Sequence, residues 1–127
     1  MKKLTRFHCL KIMEWCKKEY GRSKYNGRYP DLEFKKGDYY VGEDWGYFDN
    51  IDNLIFINSD KHSTIEELAN TVIHEYTHYK QSMHHYAILG KYLEPHDNPL
   101  EKQAEFVAQR DHKKCIKELS RYHKQFQ

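Results

Sequence analysis

Apolar residues recur at helical spacing near the start of the chain. Phe7, Leu10, Met13 or Cys16, and Tyr20 fall on one stripe with Lys and Glu between them, which predicts an amphipathic helix over residues 4–20. Gly21 stands where such a helix stops. Residues 21–30, with Gly21, Ser23, Asn26, Gly27 and Pro30, read as a loop, and it is the most basic surface segment. Three short apolar runs follow. Tyr39-Tyr40-Val41 predicts a short strand, while Gly46-Tyr47-Phe48 and Leu54-Ile55-Phe56-Ile57 flank Asp49-Asn50-Ile51-Asp52-Asn53 and predict a hairpin.

The pattern then returns to helical spacing. Ser63-Thr64-Ile65-Glu66 and Thr64-Ile65-Glu66-Glu67 both offer a capping box, and Ile65, Leu68, Ala69, Val72, Ile73 and Tyr76 form a stripe running to about Met83. Residues 86–98 read as a loop. Asn98 is a good N-cap with Pro99 at the first helical position, so a last helix is expected from there toward the end, with Ala104, Val107 or Ala108, Cys115, Leu119, Tyr122 and Phe126 inward. Helix, small antiparallel sheet, helix, helix is an α+β order, and 127 residues make one domain, 1–127.

Composition narrows the class. Eleven Tyr, six Phe and two Trp are what disordered chains lack. No run approaches 18 apolar residues, so no membrane span is expected. Met1-Lys2-Lys3-Leu4 opens like a leader, but Arg6, His8, Lys11 and Glu14 break the apolar stretch behind it; a cytoplasmic protein of the producer or host cell is expected. Cys9, Cys16 and Cys115 cannot all pair and show no C-x-x-C spacing, which predicts buried, reduced thiols. Arg22, Lys24, Arg28, Lys35 and Lys36 could form a phosphate patch, but a net charge of +2 argues against a nucleic-acid partner. Nine histidines are the anomaly, because histidine is the commonest metal ligand.

His74-Glu75-Tyr76-Thr77-His78 is an H-E-x-x-H string inside the second predicted helix. Residues four apart lie one above the other on a helix face, so both imidazoles can reach one ion, and Glu75 projects beside it as a proton acceptor for water. In so histidine-rich a chain the string alone is weak; its setting in a capped helix behind apolar Val72-Ile73 strengthens it. Catalytic zinc takes three protein ligands and keeps a position open. Glu101 and Glu105 share one face of the last helix; one could bind the ion while the other orients a ligating histidine. His62, His84, His85, His96, His112 and His123 have no partner at ligand spacing.

With these residues the chain resembles the gluzincins, zinc peptidases whose third ligand is a glutamate on a helix after the H-E-x-x-H helix. His74 to Gln81 followed by Asn98-Pro99-Leu100-Glu101-Lys102-Gln103-Ala104-Glu105 looks like small single-domain members from phages, viruses and mobile elements, and is similar to the ImmA/IrrE-type peptidases with their E-x-x-A stretch. The likeness spans roughly residues 45–110. Related sequences often carry Glu before the Ala, where this chain has Gln103. The resemblance implies a zincin-like fold, one zinc per chain on His74, His78 and Glu101, Glu75 as general base, and Glu105 as the carboxylate that hydrogen-bonds a ligating histidine. It also implies that residues 46–58 form the active-site sheet, whose edge pairs with an extended substrate.

The expected activity is zinc-dependent hydrolysis of a protein or peptide by a monomeric metalloendopeptidase, without membrane or nucleic-acid partners. A non-catalytic zinc-binding interaction module is the alternative, and the retained Glu75 argues against it. The developing oxyanion needs a donor; Tyr79, His84, His85, Tyr86, Tyr92 and His96 lie close in sequence, and the sequence does not choose among them.

Overall fold

The computed structural model describes residues 3–37 and 44–127. The strand expected at Tyr39-Tyr40-Val41 lies outside the described residues. Among the described residues, four helices, α1 (Arg6–Tyr20), α2 (Ile65–Lys80), α3 (Met83–Gly90) and α4 (Pro99–Ser120), accompany three strands, β1 (Asp31–Lys35), β2 (Gly46–Asp49) and β3 (Leu54–Asn58). The class is α+β, as the sequence predicts.

The sheet corrects one expectation: it is mixed, not antiparallel, with the order β1-β3-β2. β2 and β3 form the expected hairpin, with Tyr47 opposite Phe56. β1, which falls in none of the apolar runs, joins the other side of β3 in parallel, with Leu32 opposite Ile55. Parallel partners are not linked by a tight turn, so nothing local in the sequence announces the pairing. β3 is therefore central, and Ile55, Phe56, Ile57 and Asn58 are all buried. β2 is an edge strand pressed close to its neighbours. A side chain on Gly46 would place a Cβ 2.7 Å from the Phe56 carbonyl oxygen and 3.1 Å from Thr71 Cγ2, so only glycine fits.

α2 lies at the centre, packed on α1, α4, β2 and β3. Thr64 caps it: its hydroxyl accepts from Glu67 N–H at 3.1 Å while Glu67 Oε1 accepts from Thr64 N–H at 3.1 Å. Leu68, Ala69, Val72, Ile73 and Tyr76 are fully buried. The helix ends at Lys80, short of the expected Met83, because Gln81 turns extended and the Ser82 side chain caps α3 by accepting from His85 N–H. α3 occupies part of the expected loop and buries none of its residues, which is why no apolar stripe marks it.

The buried face of α1 is Cys9, Ile12, Met13, Trp15 and Cys16, rotated from the predicted stripe, and Phe7 is exposed. Gly21 ends that helix at φ +73°, a backbone region open to glycine. α4 stops at Ser120, before Tyr122, which is exposed; Phe126 returns to the core in a short 3-10 turn. All three cysteines are buried and free. Burial pushes the Cys9 thiol up to about 12, so it stays protonated and inert. Among the described residues no helix is long and apolar enough to cross a membrane.

Candidate metal centre

The site forms where the open flank of α2 meets the first turn of α4. His74 and His78 stack their rings edge to face with centroids 5.0 Å apart. Across from them, the buried Asn98 side chain accepts from Leu100 N–H at 2.9 Å and Pro99 takes the first helical position, so α4 begins at a fixed point. Glu101 then stands in the first turn, where a helix N-terminus favours a carboxylate.

Glu101 Oε1 lies 2.6 Å from His74 Nε2 and 3.2 Å from His78 Nε2. The Tyr86 hydroxyl donates to Glu101 Oε2 at 2.7 Å. One ligand atom from each of His74, His78 and Glu101 falls within 4.8 Å of the others, and the group could hold a metal ion.

The hydrogen-bond network tests that fit. The Gln81 amide nitrogen donates to Leu100 O and to Gln103 Oε1, both at 2.8 Å. Its amide oxygen therefore faces His78 Nδ1, 2.8 Å away. An amide oxygen only accepts, so Nδ1 carries the hydrogen and Nε2 turns its lone pair toward Glu101. A lone pair facing a carboxylate at 3.2 Å is repulsive unless a proton or a cation sits between them. The donor set thus fits a metal held by neutral imidazoles and a carboxylate.

Electrostatics agree with a site that wants positive charge. His74 and His78 hold the Glu101 carboxyl well below the usual carboxylate range. Burial opposes a charged His78, but the hydrogen bond to Glu101 and the nearby carboxylates outweigh it and raise its pKa. Glu75 is buried beside the triad, and loss of water pushes its carboxyl upward, against the pull of both imidazoles. A raised carboxyl is a better proton acceptor than an ordinary one.

The sequence-predicted residues sort as follows. His74, His78, Glu75 and Glu101 come together. Glu105 lines the same cleft but is exposed and, among the described residues, makes no hydrogen bond to either imidazole. The orienting contact at His78 comes instead from Gln81, an amide rather than a carboxylate, and Gln103 helps fix it. Among the described residues, Tyr86 is the one candidate donor in contact with the site, lying edge-on to the His78 ring at 5.3 Å. Tyr79 is buried and donates to Asn26 O. His84, His85, Tyr92 and His96 are exposed. His62 is held by Asn58 O at 2.7 Å and Thr71 Oγ1 at 2.8 Å, a structural tie between β3 and α2.

His74, Glu75 and Glu101 open onto a cleft of about 650 Å³ between α2 and α4, bordered by Trp45 and Gly46 at the sheet edge. Comparison of the chain with known protein families, with curated proteins and with solved structures finds no match.

Proposed function

We propose that this chain is a zinc-dependent peptidase of the minimal gluzincin kind, cutting a peptide bond with Glu75 as general base. The observation that carries the reading is the convergence of two imidazole nitrogens and a carboxylate within 4.8 Å, with a buried, pKa-raised glutamate next to them at the floor of an open cleft. Two imidazoles and one carboxylate suit zinc, which when bound polarises a carbonyl and lowers the pKa of a coordinated water to about 7.

The chain's own residues divide the remaining work. His74, His78 and Glu101 bind; Gln81 and Tyr86 hold His78 and Glu101 in place. Glu75 takes a proton from water and returns it to the departing nitrogen. The edge strand β2 runs to the cleft mouth at Gly46, where an extended substrate can add as a further strand.

Glu75→Gln tests the reading. It preserves volume and both imidazoles, so bound zinc and thermal stability should stay near wild type while hydrolysis falls by at least about 100-fold. Zinc content by elemental analysis and fragment release by mass spectrometry give the two readouts. Zinc-dependent cleavage that survives Glu75→Gln unchanged overturns the mechanism. A protein that binds zinc and cuts nothing is the interaction module instead.

A further inference from the structure

The cleft beside the triad has a charge pattern that the whole chain lacks. The sequence balances 21 Lys and Arg against 19 Asp and Glu, yet every ionisable side chain lining the cleft is a glutamate or a histidine. Glu67 is committed to capping α2. Glu66 on α2 and Glu105 on α4 are not: neither has an ion pair or hydrogen bond among the described residues.

Two buried side chains that line the same space also have an acceptor with no hydrogen bond among the described residues. Glu75 is 8% exposed and His112 is 7% exposed. His112 Nδ1 sits 2.9 Å from the Ala108 carbonyl oxygen, which only accepts, so Nδ1 carries the hydrogen and Nε2 presents a bare lone pair. Neither that nitrogen nor the Glu75 carboxylate is hydrogen-bonded among the described residues. The two carboxylates at the rim, Glu75 and the His112 nitrogen all present acceptors to this space, a lining that favours a cationic donor. A second metal ion does not answer the description, because among the described residues His74, His78 and Glu101 alone gather closely enough to hold one. At the rim Trp45 is 43% exposed, with His62 edge-on to it at 4.9 Å, and it offers a ring to a cation.

We infer that this cleft selects peptide substrates bearing lysine or arginine close to the bond that is cut, with the cationic head taken between Glu66 and Glu105 and its stem laid near Trp45. The inference rests on the peptidase reading and names its substrate class. Glu105 lies one turn from Glu101, about 6 Å, and Glu66 lies two turns from His74, about 12 Å. At about 3.3 Å per extended residue, the basic side chain sits roughly two to four residues from the reacting carbonyl.

The test uses the zinc-loaded full chain and two fluorescent decapeptides, identical except that one alternates Lys with Ala and Leu and the other has Glu in place of Lys. Binding is read by anisotropy and cleavage by mass spectrometry in the same samples. The Lys peptide should bind about tenfold tighter or more at low salt, with the gap narrowing as salt rises. Glu66→Lys combined with Glu105→Lys should erase or invert the preference while zinc content holds, and Glu14→Lys, on the distant α1, should leave it intact. If the double reversal does not fold, the Glu66→Gln, Glu105→Gln pair should still flatten the preference. Equal binding of the two peptides, including none, overturns the inference; so does a preference that survives the double variant or falls equally in Glu14→Lys. Selective binding without cleavage overturns the peptidase reading and leaves the charge selection standing. Equal cleavage of both peptides does the reverse.

Discussion

Asp111 and Glu101 stand ten residues apart on α4, and each accepts a tyrosine hydroxyl at 2.7 Å, from Tyr20 and Tyr86 respectively. Their other partners differ. Asp111 is gripped by the Arg110 guanidinium through two contacts at 2.8 Å, a permanent cation supplied by the chain. Glu101 faces two imidazoles, which are cations only when protonated and metal ligands when they are not. Both carboxyls are held below their ordinary range, Asp111 chiefly by Arg110 and Glu101 chiefly by His74. The first is a closed tie between α1 and α4. The second has exchangeable partners, and that openness separates a carboxylate that could hold a metal ion from a structural one.

The sharpest break of this comparison is metal content. Glu101→Gln should leave the chain with zinc below about half occupancy after zinc-supplemented purification, because it removes one of three ligands. Asp111→Asn should purify with full zinc and a lower thermal midpoint, having lost the charge that Tyr20 and Arg110 bind. Elemental analysis with a melting curve on each variant decides it; full occupancy in Glu101→Gln would dissolve the distinction.

pH should separate the two next. Without metal, the raised pKa of His78 contributes stability that is present below about pH 6.5 and is lost as pH climbs through the folded value. Zinc reverses that sense, because the metal needs the imidazoles deprotonated. Zinc affinity should therefore weaken by up to about tenfold per pH unit for each imidazole as pH falls from 8 to 5. The depressed Asp111 carboxyl contributes stability present above about pH 4 and lost only as pH falls through its lowered value. Zinc titrations across that range should show the first slope, and thermal midpoints of the Asp111→Asn variant relative to wild type should hold constant from pH 8 to 6.

Gln81→Ala should cost about 10- to 100-fold in zinc affinity with the three ligands intact, since it frees His78 to rotate and to change tautomer. Competition with a fluorescent chelator measures this. An unchanged affinity would mean that the ring is fixed by packing alone.

Much of this arrangement is legible in the sequence. The capping box at Thr64, the i, i+4 histidines and the Asn98-Pro99 start of α4 are local signals, and they place His74, His78 and Glu101 on two helices before any contact is known. The hairpin over residues 46–58 is equally local. Non-local features stay hidden. β1 pairs with β3 across more than twenty positions with no turn to mark it. α3 has no buried face. The stripe of α1 holds at Met13 and Cys16 but is misplaced at its start, where Cys9 and Ile12 are core and the bulkier Phe7 lies outside. Gln81 escapes notice because an amide in a motif's tail looks like any polar residue; its role exists only once Leu100 and Gln103 fix which way its amide points. Glu105 matches the spacing for that role, but it sits a turn further along α4 and faces the cleft.

The smallest expected effect comes from the two tyrosines, and it is the most direct control. Tyr86→Phe and Tyr20→Phe each delete one hydroxyl that donates to a carboxylate at 2.7 Å, leaving the ring in place. At Tyr86 the retained ring keeps its edge contact with His78, so α3 stays docked while Glu101 Oε2 loses its anchor. The carboxylate then gains freedom to swing, and zinc affinity should fall by about tenfold, the low end for a group that orients a ligand, because Tyr86 is partly solvated. At Tyr20 the same deletion should leave zinc affinity at wild type and remove about 1 kcal/mol of stability, since Arg110 still holds Asp111. Measuring both quantities on both variants gives a crossed pair. If Tyr20→Phe weakens zinc binding as much as Tyr86→Phe does, the two carboxylates communicate along α4, and the structural tie is part of the metal site after all.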